Sequence, residues 1–183
     1  MEPLDALEES FDHARKIVGG VRPDQYAEPT PCTEWDVRAL LTHMVGVMMN
    51  MEQGTSGGEL VPDVNAVALD TNVATQFGAA ADRTLAAWRA NGIAGEVNVG
   101  AGPMPAALAA SINLVDTTAH TWDLARATGQ DDTIPDDLAV ATLQIAQGFV
   151  DGVREYAGIK PAVTVDAAAS PTVKFVAYMG RRP

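Results

Sequence analysis

The sequence predicts an all-α protein in the main: a four-helix bundle with one extra helix, a short extended crossover and a small C-terminal tail. Three observations lead there. Apolar residues recur at helical spacing in several long stretches, and glycine or proline stands at the ends of those stretches. Apolar residues make up 47% of the chain, alanine dominates them and aromatics are only 5%, which suits close-packed helices better than a sandwich or barrel. The length, 183 residues, is enough for one domain with a sizeable core.

The elements follow in order. Leu4, Leu7, Phe11, Ala14, Ile17 and Val18 predict a first helix from about Leu4 to Gly19, stopped by Gly19-Gly20. Arg22 to Cys32 holds three prolines and reads as a loop. Thr33 is expected to cap a second helix over about Glu34 to Glu52, with Asp36 completing a capping-box-like pair. Its apolar stripe is Val37, Leu40, Leu41, Met44, Val45 and Met48, and the Gly- and Ser-rich run Gly54 to Pro62 is a loop. A third helix is expected from Asn65 to Asn91, with Val67, Val73, Phe77, Ala81, Leu85 and Trp88 inward and Gly92 as its end. Val97 and Val99 alternate with polar residues between Gly95 and Gly102, a short strand or extended crossover.

Pro105 suits the first turn of a fourth helix that runs to about Thr128, with Gly129 at its C-cap. Its stripe is Leu108, Ile112, Val115, Ala119 and Trp122. Pro135 opens a fifth helix, expected to end near Tyr156 or Gly158. Residues 1–158 then form the bundle, and residues 159–183 a tail packing on it, with a last apolar piece from Val173 to Met179. There is no internal repeat.

Charge and composition exclude several functions. The net charge is −12 and the twelve Lys and Arg are scattered, so there is no basic face for a phosphate backbone and no nucleic-acid partner is expected. Arg181-Arg182 is too short to act as an arm. The single cysteine, Cys32, excludes a disulfide within the chain. Met44 to Met51, the most apolar stretch, is far too short to span a bilayer, so no membrane is expected. The acidic start Met1-Glu2-Pro3-Leu4-Asp5 lacks the basic region of a signal peptide, and the expected compartment is the cytoplasm.

The candidate chemistry lies with the histidines, His13, His43 and His120. Asp116 and His120 stand four apart on a predicted helix, so both point the same way from adjacent turns, beside the core stripe. Bare burial of either is costly. A divalent metal would satisfy both, as in bundle proteins that hold metals with carboxylate and His side chains on facing helices. His43, at the edge of the second helix's stripe, can supply a third ligand from across the bundle. Two imidazoles and one carboxylate would leave an open position, as in catalytic zinc sites. The same spacing also suits a plain helix ion pair, with His43 a hydrogen-bonded core residue.

Among the other candidates, Asp123 can orient an imidazole or anchor a loop through backbone N–H groups. Trp35, Trp88 and Trp122 are expected in the core, with Trp122 also able to line the site. Cys32 is expected to pack as a small buried residue, and His13 to be a solvated surface residue. No catalytic base is assigned.

Three stretches resemble a known family. Thr30-Pro31-Cys32-Thr33-Glu34-Trp35-Asp36-Val37, continuing through Leu40 and His43 to Gly46, is similar to one signature of the DinB / mycothiol-dependent maleylpyruvate isomerase family. Asp116-x-x-x-His120-Thr121-Trp122-Asp123-Leu124-Ala125-x-Ala127-Thr128-Gly129 is similar to its second. The ending Phe175 to Pro183, with Gly180-Arg181, resembles that of a short actinobacterial subgroup. The resemblance implies a DinB-like bundle with His43, Asp116 and His120 as metal ligands. Asp116 departs from the pattern, since the isomerases carry Glu and many relatives His. The implied cofactors are a divalent metal, zinc first and nickel second, together with mycothiol.

The implied activity is transfer of that thiol to a small electrophile, or isomerisation of one. A metal-dependent hydrolase and a non-catalytic metal- or ligand-binding stress-response protein stand as the alternatives. The implied partner is a small-molecule substrate, and a homodimer is compatible with it. The isomerases carry a substantial C-terminal α/β domain, and the segment 159–183 is too short for one, which argues against maleylpyruvate isomerisation itself.

Overall fold

The computed structural model describes residues 1–183. Its helices are α1 (Pro3–Gly19), α2 (Val37–Ser56), α3 (Val73–Asn91), α4 (Ala106–Thr128), α5 (Asp136–Gln147), the single turn α6 (Val150–Val153) and α7 (Pro171–Tyr178). The strands β1 (Glu96–Asn98) and β2 (Pro103–Pro105) form one antiparallel hairpin between α3 and α4, with Val97 opposite Met104. Four helices, α1 to α4, make the bundle, in which α1 and α2 each pack on both α3 and α4. The expected all-α architecture is the observed one. No helix is long and apolar enough to cross a membrane.

The apolar stripes read from the sequence meet in one core. Phe11 from α1, Leu40, Leu41 and Met44 from α2, Phe77 and Trp88 from α3, and Leu114 from α4 are all essentially without exposed surface. Burying such side chains is worth about 1.5–3 kcal/mol each. Two polar groups between the helices show how such groups are paired. Trp88 Nε1 donates to Asn113 Oδ1 (3.2 Å), and Thr84 Oγ1 donates to the Met48 carbonyl (2.8 Å).

Four expected boundaries differ. The second helix starts at Val37 with Asp36 as its cap, because Asp36 Oδ1 accepts the Ala39 N–H at 2.8 Å. Thr33 lies in a turn before it, where Trp35 N–H bonds to the Cys32 carbonyl (2.8 Å) and Val37 N–H reaches back to that of Glu28 (3.0 Å). The third helix starts eight residues later than expected, at Val73. Asn72 caps it, and Gln76 turns back to bond the Asp70 N–H (2.8 Å) and the Ala68 carbonyl (2.9 Å), which keeps that stretch out of the helix. Pro105 ends β2 and stands just before α4, not within its first turn. The fifth helix breaks at Gly148-Phe149, where Phe149 has φ −146°, and α6 continues from there.

Two features place the loops around the site. Gly46 on α2 lies under the Val64 backbone, and a Cβ there would collide with the Val64 carbonyl. The loop between α2 and α3 can therefore cross α2 beside His43. At the other end, α7 packs on α5, and Thr172 Oγ1 bonds both the N–H and the carbonyl of Ile134 (3.1 Å each).

Candidate metal centre

His43 projects from α2, and Asp116 and His120 project from consecutive turns of α4. Because α2 and α4 are packed neighbours, the three side chains converge. Nε2 of His43 and Nε2 of His120 each lie 3.4 Å from Asp116 Oδ1. One ligand atom from each of the three residues falls within 4.8 Å of the others. Ligands at zinc distances of about 2.0–2.1 Å, arranged tetrahedrally, stand about 3.3 Å apart, so the spacing matches the edge of a coordination tetrahedron. It is long for an ordinary charged hydrogen bond, which centres near 2.7–2.9 Å.

The far nitrogen of each imidazole has its own partner. His43 Nδ1 lies 2.9 Å from Asn65 Oδ1, on the loop that Gly46 admits. His120 Nδ1 lies 3.0 Å from Asp123 Oδ2. With Nδ1 of each ring engaged in this way, Nε2 is the nitrogen of each that faces Asp116, and it can ligate once it carries no proton. Asp123 has no exposed surface, and the Arg181 guanidinium grips it through Nη2 to Oδ2 (2.7 Å) and Nε to Oδ1 (3.2 Å).

The charges are strongly coupled. Burial would raise the Asp116 carboxyl, but the neighbouring His120 and His43 hold it well below the usual carboxylate range. Burial alone would lower His120, yet the Asp116 charge and the hydrogen bonds from Asp116 and Asp123 push it up to about 9. Burial also opposes ionisation of Asp123, and the bonds from His120 and Arg181 overcome it.

Two cavities meet at this cluster. One, of about 520 Å³, is lined by His43, Asp116 and His120, by Cys32, Trp35 and Arg181, and by apolar side chains including Ile112, Val115, Phe149 and Val150. Exposed Tyr156 and Lys160 belong to its outer wall. That volume is in the range of small-molecule sites, about 300–1,000 Å³. The other, of about 400 Å³, shares His43, Asp116, Ala101, Met104 and Ile112 and extends towards the 61–64 and 99–101 loops.

The stretch of chain that carries this cluster has a counterpart among known proteins. Residues 7–125 match the family described as "Mycothiol maleylpyruvate isomerase N-terminal domain". The chain belongs to that family. The family match takes in His43, Asp116, His120 and Asp123 and ends before α5. Two uncharacterised proteins of Mycobacterium tuberculosis, one of them from strain CDC 1551, are each 31% identical over 151 residues, covering 82% of this chain and 80% of their own length. No solved structure shows a significant match.

Several expectations need correction. Trp122 does not line the site. It sits two residues past His120, on another face of α4, is buried in the core and carries Arg126 over its ring at 5.4 Å. Trp35, expected in the core, lines the cavity instead, with its ring centroid 4.5 Å from that of His43 and 5.5 Å from that of His120. It lies in the loop before α2, where periodicity carries no information about facing. Cys32 is half-buried in the cavity wall, and burial, with Asp123 nearby, pushes its thiol pKa up. His13 is not solvated as expected: its Nε2 is buried without a partner, and burial lowers its pKa. Asp123 bonds the His120 ring and the Arg181 guanidinium, and no backbone N–H is among its partners. Arg181 also lines the cavity, and the Gly180-Arg181 ending is the one sequence signal for it.

Proposed function

We propose that the protein binds one divalent metal, zinc first and nickel second, through His43 Nε2, Asp116 and His120 Nε2, and that it uses the metal with mycothiol to act on a small electrophile. The observation that carries this reading is the 3.4 Å spacing of both Nε2 atoms from one carboxylate oxygen, with both Nδ1 atoms already engaged. A donor set of two imidazoles and one carboxylate suits zinc and leaves a position vacant. A divalent ion there supplies positive charge that lowers the pKa of a thiol or water taking the vacancy, which makes a nucleophile available at neutral pH.

The chain's own residues do the rest. Asn65 and Asp123 fix the imidazole planes, and Trp35 packs against both rings. Cys32 is a poor nucleophile in its own right, since its thiol is held protonated. His43 and Asp116 line both cavities, which gives room for two reactants beside the cluster. The apolar lining of the larger cavity suits an electrophile with a hydrocarbon body. The choice of mycothiol as the thiol comes from family membership.

The test is a rate measurement with zinc-loaded protein on a panel of electrophiles and esters, with and without mycothiol. Thiol-dependent consumption of an electrophile supports the proposal. Thiol-independent ester cleavage replaces it with a hydrolase, and no turnover by zinc-loaded protein replaces it with a binding protein.

A further inference from the structure

A carboxylate with no exposed surface needs its lone pairs satisfied, and Asp123 divides them between two partners. His120 Nδ1 and Arg181 Nη2 both bond Oδ2 (3.0 and 2.7 Å), and Arg181 Nε bonds Oδ1 (3.2 Å). Arg181 is 58 residues away in sequence and lies beyond the family-matched residues 7–125. We propose that Arg181 is a positioning residue for the metal centre, holding Asp123 against His120 Nδ1 so that His120 Nε2 faces Asp116 and the metal. The proposal rests on the metal reading above.

The C-terminal segment is built to hold this guanidinium in place. Arg181 Nη1 donates to the Met179 carbonyl (2.9 Å), and its backbone N–H bonds to that of Val176 (2.9 Å). Gly180 has φ +79°, and a Cβ there would strike the Lys160 carbonyl, so the turn that aims Arg181 inward requires glycine. Arg154 straps the segment by donating to the carbonyls of Lys160 (2.9 Å) and Tyr178 (3.0 Å). The planar fork matters, because an ammonium in its place would give charge without a bidentate grip. Without Arg181, Asp123 would be a buried carboxylate with one partner, next to a cavity that admits water. It would then turn towards that water and release the His120 ring. The segment after α5 is thereby part of the metal centre, though it supplies no ligand to it.

The experiment measures zinc affinity of the full chain by competition with a chelating dye, for wild type, Arg181→Gln, Arg181→Lys, Asp123→Asn and the Arg181→Gln/Asp123→Asn pair. Loss of a group that orients a ligand costs about 10–100-fold in affinity, and that loss is expected for Arg181→Gln. Arg181→Lys should lose less, and Arg181→Gln should cost nothing further once Asp123→Asn is present. Wild-type affinity in folded Arg181→Gln, or a full additional loss in the Asp123→Asn background, overturns the proposal. Should Arg181→Gln fail to fold, the neutral pair is measured in its place, and wild-type affinity there also overturns it. A wild-type chain that binds no zinc refutes the metal reading, and NMR of metal-free protein then decides. One set of His120 ring signals in wild type and several in Arg181→Gln supports a positioning role, and identical spectra refute it.

Discussion

At the scale of single residues, the argument turns on how a buried carboxylate and two imidazoles are satisfied. Without metal, Asp116 is held by His43 and His120, and it in turn keeps His120 charged to about pH 9. The sign follows from linkage. His120's folded value lies above its ordinary 6.5, so its stabilisation of the metal-free chain is complete below about 6.5 and is lost as pH rises through about 9. The melting temperature of chelated protein should therefore fall between about pH 6.5 and 9, while zinc affinity rises over the same range because a competing proton leaves. Flat profiles for both across that range would show that His120 and Asp116 are not coupled. Replacing His120 with Ala should abolish metal binding and destabilise the metal-free chain by about 1–3 kcal/mol, since Asp116 and Asp123 both lose a partner. Asp116→Ala should lose metal, while Asp116→Glu or Asp116→His should keep it, since each keeps a ligand atom at this position. Metal content of the purified variants checks each.

At the scale of elements, the helices were legible because their apolar stripes and their stops are written locally. The pairing of His43 with Asp116 and His120 was also legible, since all three sit on helices whose faces the stripes define. What escaped was held by non-local contacts. Val67 fits a helical period, yet Gln76 and Asn72 keep its segment in a loop, and that loop carries Asn65 to His43. Trp35 stands where no period applies, and Arg181 reaches the site only through a turn at Gly180. The loop's seat on α2 makes a prediction of its own. Gly46→Ala should push the Val64 backbone off α2, at about 1–3 kcal/mol for overpacking, and draw Asn65 away from His43. Its denaturant midpoint and its zinc affinity should both fall. If stability falls and affinity stays, Asn65 does not orient His43.

At the scale of the whole molecule, the core is expected to stand without the metal. The large apolar side chains meet between α1 and α4, and the cluster lies at one edge of that packing, beside the cavities. Removing metal should leave helix content by circular dichroism close to that of the loaded protein, unlike small zinc modules that unfold without their ion. Wholesale loss of helix on chelation would make the ion structural. The central claim is that three side chains from two helices hold one ion, and elemental analysis of purified full-length protein tests it most directly. The account predicts about one zinc or nickel per wild-type chain, from three protein ligands and an open position, and none in folded His43→Ala or His120→Ala. Full metal in both variants, or none in wild type grown and purified with zinc, would contradict it.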